Sequence, residues 1–307
     1  MPLALLNLAL AMAITGSNVV VGKLLAAAMP VPDVLFLRCV LAAVLLAPWA
    51  LRRTVAPPRG WMLGNVVVQA ISGTVLYNIL LLAGLRHTGA LQAGIVLSSL
   101  PAVVALAAAV FLSERLSGRR WVAVVLAAVG VGFVAFARNA DLHGSLRGDG
   151  LVFGAVGCEA AFVILSRLAA NRMAAVRLIF WMQVVSAVCL LPLAWPVLDQ
   201  AWPALAKPDI LALFLYHAVS ASVICTLLWY AGMRRVPASL AGLFTVFLPL
   251  TAAVLAVLWL GETFVPALGA GFVLTLASLV LATWPARRAA TVPIPPPSAH
   301  MVVQTPD

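Results

Sequence analysis

Apolar residues run along this chain in ten long blocks, at roughly 3–26, 33–51, 61–85, 89–113, 119–137, 149–169, 175–195, 209–232, 237–260 and 265–284. Each is close to the ~20 residues that an α-helix needs to cross the hydrocarbon core of a bilayer. Short turns with helix breakers part them: Met29-Pro30-Val31-Pro32, Pro57-Pro58-Arg59-Gly60, Ser117-Gly118, Trp202-Pro203 and Pro208. The connections 138–148 and 196–208 are the longest, and neither amounts to a domain. Residues 285–307 carry Pro293, Pro295, Pro296, Pro297 and Pro306 with few apolar anchors, which predicts a disordered Pro-rich tail.

Composition agrees with the pattern. Hydrophobic residues make up 64% of the chain and charged residues 9%, with a mean hydropathy of +1.12. Soluble domains carry about 25% charged residues, so a lipid bilayer must solvate this surface. The net charge of +10 would suggest nucleic acid in a soluble protein. Here the basic residues fall mostly in short loops, where they set orientation, and nucleic-acid binding is not expected. Cys39, Cys158, Cys189 and Cys225 lie inside apolar blocks without metal-like spacing and read as small buried hydrophobes. No cleavable signal peptide is evident, because the first block runs long and lacks an A-x-A site.

The chain repeats itself. Leu80 to Glu114 returns, shifted by 148 positions, as Leu228 to Glu262. The copies align Gly84 with Gly232, Arg86 with Arg234, Gly94 with Gly242, Pro101 with Pro249 and Glu114 with Glu262 without a gap. Earlier blocks match at a shift of 144, as in Phe36/Phe180, Pro48/Pro192 and Lys23/Arg167. With the N-terminus inside, thirteen of the 19 basic residues fall on the cytoplasmic side, which predicts ten spans and both termini cytoplasmic. Five spans per copy is an odd number, so the second copy must be inverted, as in alternating-access transporters.

Ten helices in two inverted sets, a proline inside the fourth and ninth, and a glutamate closing each of those two resemble the ten-helix EamA-type permeases of the drug/metabolite transporter superfamily. Ala83-Gly84-Leu85 through Leu112-Ser113-Glu114, Ala231-Gly232-Met233 through Gly261-Glu262, and Phe36-Leu37-Arg38 carry the likeness, which extends to about residue 284. It implies an all-α integral membrane fold: a first five-helix repeat over 1–137, a connecting loop at 138–148, a second, inverted repeat over 149–284 and a cytoplasmic tail at 285–307. It further implies a secondary carrier of the bacterial inner membrane, often an exporter, with a central cavity between the repeats.

Several residues stand out as candidates for that cavity. Glu159 lies ten residues into the sixth block, about 15 Å from its start. An acid so deep is costly and must face protein or water; it reads as a partner for a substrate amine or a proton carrier, or else as a carboxyl bonded to another helix. His217 is deep in the eighth block, as a proton relay or a neutral imidazole held by a backbone carbonyl. The third block is the most polar: Asn65, Gln69 and Ser72 follow i, i+4, i+7, and Gln69, Ser72, Thr74 and Asn78 are expected to line the cavity or bond between helices. Phe162 and Trp181 are candidates to stack on a ligand, and Asn18 to line the outer side. Tyr216, Trp229 and Tyr230 could also stack; Trp229 and Tyr230, near a helix end, read as interfacial belt residues, and Lys23 and Arg38 as snorkelling cations. Pro101, Pro249, Gly94 and Gly242 read as hinge or gating positions, the prolines also as cavity wall and the glycines as points where a helix or a ligand approaches closely. Glu114 and Glu262 read as structural groups at helix ends, or else as gating or proton-carrying carboxylates.

No P-loop is present to drive pumping by nucleotide hydrolysis, and no Gly-x-Ser-x-Gly, His-Glu-x-x-His or acidic metal cluster occurs. No cofactor is expected. The sequence therefore points to a secondary transporter of small metabolites such as amino acids or related amphiphiles, with protons as a candidate coupling ion. An integral-membrane enzyme acting on lipid-linked substrates, or an importer of a vitamin or nucleotide-related metabolite, are the alternatives. The sequence does not distinguish a monomer from a homodimer.

Overall fold

A computed structural model describes residues 2–52, 57–85, 87, 96–138, 145–260 and 266–283. Among these residues every regular element is helical. In lipid no water is available to hydrogen-bond the backbone, so a helix, which satisfies its own N–H and C=O groups, is the form these apolar blocks take. The elements are α1 (Pro2–Ala28), α2 (Val31–Ala50), α3 (Trp61–Ala70), α4 (Tyr77–Leu85), α5 (Leu100–Phe111), α6 (Gly118–Arg138), α7 (Leu146–Ala169) and α8 (Ala175–Ala194). They continue with α9 (Ala201–Leu205), α10 (Pro208–Val219), α11 (Cys225–Met233), α12 (Ala238–Phe244), α13 (Phe247–Leu260) and α14 (Pro266–Thr283). Among the described residues seven runs are long and apolar enough to cross a membrane: α1, α2, α3 through α4, α7, α8, α10 through α11, and α12 through α13. Helices α5 and α14 are shorter apolar helices. The helices turn apolar side chains outward, including Val110, Phe111, Leu258, Trp259 and Val273, a surface suited to lipid rather than water.

Two of the spans are not regular. A π-helical turn, Ile71–Leu76, joins α3 to α4, and a second, Ser220–Ile224, joins α10 to α11. The run from α12 to α13 is interrupted at Thr245 and Val246, where i→i+3 bonds replace the α-helical pattern: Thr245 N–H to Gly242 O, 3.3 Å, and Val246 N–H to Leu243 O, 3.4 Å. Pro249, lacking an N–H, would orphan the carbonyl of Thr245; Leu248 N–H takes that carbonyl at 3.1 Å instead. Pro101 stands in the first turn of α5, just after a turn at Ser98 and Ser99. Both prolines therefore sit within the turn that restarts a helix, rather than kinking a continuous one.

The bundle is assembled from a few extended helix pairs: α6 with α14, α2 with α8, α1 with α11 and α13, α7 with α4 and α5, and α5 with α12. Glycines permit the closest approaches. A Cβ on Gly84 would lie 2.7 Å from Val152 Cγ2, and one on Gly232 would lie 2.5 Å from Leu8 Cγ. One continuous core of α1, α2, α3, α5, α6, α7, α8, α11, α12 and α14 side chains fills the end at which α1 begins. A separate apolar cluster at the other end joins Val21, Leu25 and Met29 to Val34, Ala201, Ala204 and Phe214.

Candidate functional site

The end where α1 begins is tied across helices by polar side chains. Tyr230 of α11 donates its hydroxyl to Gln69 Oε1 of α3, and Gln69 Nε2 donates in turn to Asn65 Oδ1. Asn65 Nδ2 reaches the carbonyl of Leu165 in α7 at 3.3 Å, and the Tyr230 hydroxyl also lies 3.3 Å from Met182 Sδ of α8. Beside this chain of bonds, Trp229 Nε1 donates to Ser166 Oγ at 3.0 Å, and the Trp229 ring stacks on Phe162 with centroids 6.4 Å apart. Trp229 and Tyr230 are 2% and 0% exposed. They are core residues of a closed end and not the lipid-interface belt that their position in the sequence suggests.

Cations at the same end are spent on backbone and rings. Arg167 Nη1 donates to Met233 O at 2.7 Å, Arg234 Nε to Ala170 O at 3.0 Å, and Arg177 Nε to Ala50 O at 3.2 Å. The Arg172 guanidinium stands 4.6 Å over the Trp61 ring. Helix ends leave carbonyls unpaired, and these donors close several of them.

Deeper in the bundle lies a second polar group. Asn18 Nδ2 donates to Ile14 O and to Ser220 Oγ, each at 2.9 Å, which turns Asn18 Oδ1 toward His217 Nδ1 at 2.9 Å. Asn18 Oδ1 can only accept, so His217 Nδ1 is the donor in this bond. His217 is thus held by a side-chain amide, not by a backbone carbonyl. Ser17 and Tyr216 share a bond of 2.6 Å alongside.

Glu159 lies on the same face of α7 as Val152, Ala155, Val156 and Val163, all buried, yet it is itself half-buried. It is thus partly open on a face that is otherwise closed, and Tyr77 and Cys158 lie near enough to feel its charge. Phe162, one turn on, packs against the π turn at Gly73, where a Cβ would stand 2.7 Å from Phe162 Cδ2. Thr74 and Asn78 are half-buried, and Asn78 Nδ2 donates to Thr74 O at 2.6 Å. Asn78 also lines a groove of about 540 Å³ between α2, α4 and α8, bordered by Val31, Leu35, Leu82, Leu190 and Leu193. Ser72 is buried, and its hydroxyl meets no partner. Trp181, half-buried, packs edge-on against Phe180 at 5.2 Å.

The candidate residues thus fall into two groups. Gln69 and Phe162 belong to the closed end and Asn18 and His217 to the deeper cluster, with Glu159 apart from both on α7; no bond joins Glu159 to His217. Gly242 serves close packing, since a Cβ there would meet Val104 Cγ1 at 2.5 Å. Gly94, Arg86 and Glu262 lie outside the described residues. Sequence reasoning undervalued Arg38 and Asp33. Arg38 is no helix-end cation: it lies seven residues past the start of α2, and its charge reaches His217 and Cys225. The signal was its place on the stripe Val34, Ala42, Leu46. Asp33, on the first turn of α2, is fully buried with neither carboxylate oxygen bonded. Among the described residues no group of three His, Cys, Asp or Glu side chains is placed to hold a metal.

The sequence matches the model of the EamA-like transporter family over residues 2–136 and 146–284. It is 30% identical over 269 residues to the uncharacterized transporter YetK of Bacillus subtilis (strain 168), covering 85% of this chain and 81% of that protein. It is 27% identical over 263 residues to the uncharacterized transporter YwfM of the same strain, covering 85% and 84% respectively. A solved crystal structure superposes with a TM-score of 0.76 over 94% of this chain and 99% of the other, at 18% identity, a likeness of fold.

Proposed function

This chain belongs to the EamA-like transporter family, and we propose that it is a secondary carrier exporting small metabolites, amino acids or related amphiphiles, across the bacterial inner membrane. It is a multi-pass membrane protein of a transporter family. In the proposed arrangement ten helices form two inverted five-helix repeats, over 1–137 and 149–284, with both termini cytoplasmic. The substrate binds between them near the midplane.

The observation that carries this reading is the recurrence of the same local structure in both halves. The π turns at Ile71–Leu76 and Ser220–Ile224 stand about 148 positions apart. The close contact of Gly84 with Val152 recurs as Gly232 with Leu8, at the shifts of 148 and 144 that align the two sequence copies. The helix pairs obey the same relation: α4 against α7 is matched by α11 against α1, and α5 against α7 by α13 against α1. Interrupted helices facing a central cavity are where such carriers hold substrate, and the restarts at Pro101 and Pro249 give the two halves matched pivots.

The polar ties at the α1 end make this the state closed on that side. With the basic residues of that end on the cytoplasmic face, the carrier is closed inward and the groove at Asn78 lies on its outer half. Glu159, half-buried on an otherwise buried face of α7, pairs with a substrate amine or takes up a proton, which couples efflux to the proton gradient. Saturable uptake of labelled amino acids into proteoliposomes tests the reading.

A further inference from the structure

We infer that Arg38 is the anion-binding residue of the carrier's interior, taking the carboxylate of the transported molecule. The inference rests on the carrier reading above and adds the class of substrate: a carboxylate-bearing metabolite, as opposed to an amine or a neutral compound.

Arg38 sits about 10 Å into its span at 1.5 Å per residue, on the stripe of α2 that holds Val34, Ala42 and Leu46. Those three are buried, whereas Arg38 is half-buried, so the space beside it is interior to the bundle and not lipid. Its Nε is buried and meets no acceptor. No carboxylate among the described residues pairs with it. Cys39, Cys225 and His217 lie near enough to feel its charge and none of them is a carboxylate, and His217 keeps Nδ1 on Asn18.

The contrast with the other arginines is instructive. Arg167, Arg177 and Arg234 each donate to a backbone carbonyl, and Arg172 covers a tryptophan ring. These cations hold helices together. Arg38, at greater depth, has no such use, although an ionised side chain inside a span is costly unless a partner compensates it. A guanidinium offers a planar fork of donors that matches a carboxylate. The missing counter-charge is therefore supplied by the ligand.

Thermal unfolding of the purified full-length protein tests this, with L-phenylalanine, 3-phenylpropanoate, phenethylamine and inorganic phosphate as probes. L-phenylalanine and 3-phenylpropanoate should raise the melting temperature saturably, phenethylamine should do so less, and phosphate should not. R38Q should weaken the apparent affinity for both carboxylates at least tenfold, and R38K should retain a response. Equal stabilisation by phenethylamine or by phosphate, no response to either carboxylate, or an unchanged response in R38Q would overturn the assignment. If R38Q does not fold, the ranking of the four probes on the wild type decides. Carboxylate-dependent stabilisation without flux into proteoliposomes would remove the carrier reading and leave the subsite. Flux of substrates without a carboxylate response would do the reverse.

Discussion

Glu114 holds Ser239 by both of that residue's donors. Its Oε2 accepts the Ser239 N–H at 3.1 Å and the Ser239 hydroxyl at 2.6 Å, and Oε1 accepts the Ala238 N–H at 2.8 Å. The first N–H groups of α12 have no partners within the helix, and Pro237 at its N-cap supplies no side-chain bond. A carboxylate from the end of α5, more than a hundred residues away in sequence, closes them and meets the positive end of the helix dipole. The link joins the two halves of the chain at the closed end.

Replacing Glu114 should loosen that end. Hydrogen bonds to a charged group contribute about 1.5–3 kcal/mol each to stability, so E114A is expected to lose on the order of 2 kcal/mol after partial hydration of the freed donors. A drop of several degrees in the melting temperature of the purified protein, smaller for E114Q, would be the sign. An E114A protein that melts with the wild type would mean the cap is dispensable.

Ser113 makes that link possible at some cost. It has a φ of 53° just after α5, and it lets the N–H of Glu114 return to Ala108 O at 3.2 Å, the geometry that glycine normally supplies at a helix end. Left-handed backbone costs an L-residue roughly 1–2 kcal/mol. S113G should therefore raise the melting temperature; a fall would show that the serine side chain contributes more than its backbone strain removes.

The closed end should also yield to loss of a single hydroxyl. In Y230F the buried carbonyl of Gln69 loses its donor, a cost of about 1–3 kcal/mol. With Cys39, Cys189 and Cys225 replaced, the half-buried Cys158 beside Glu159 should then label faster from the cytoplasmic side in Y230F than without that substitution. Equal labelling rates would show that the network does not hold the gate.

Glycine contacts supply a packing test. A methyl group on Gly242 would enter Val104, whereas one on Gly157 meets nothing within 4 Å. Overpacking costs about 1–3 kcal/mol, so G242A should melt earlier than the wild type, and G157A should melt no earlier. The reverse order would contradict the close approach of α12 to α5.

Much of this was legible in the sequence, because the bilayer imposes a simple rule on chain composition. Among the described residues, seven of the ten apolar blocks correspond to helices long and apolar enough to cross a membrane, and the Asn65, Gln69, Ser72 stripe does face protein. Side-chain partnership was less legible. Trp229 and Tyr230 lie near a helix end, where the usual reading is an interfacial belt; only the packing of α11 against α1 and α8 reveals them as core. Arg38 looked like a snorkelling cation because depth in a span does not show which way a side chain turns. The π turns leave no sequence signature beyond small polar residues such as Ser72 and Ser220. The partner of Glu114 lies in the other half of the chain, beyond the reach of local pattern.

The most direct measurement is uptake of labelled neutral and aromatic amino acids into proteoliposomes under an imposed pH gradient, for the wild type and E159Q. The account predicts saturable flux by the wild type that responds to the gradient, and flux by E159Q that no longer does. Flux indistinguishable from protein-free liposomes would contradict the proposed transport of amino acids, and an E159Q protein with unchanged flux and pH response would remove Glu159 from coupling.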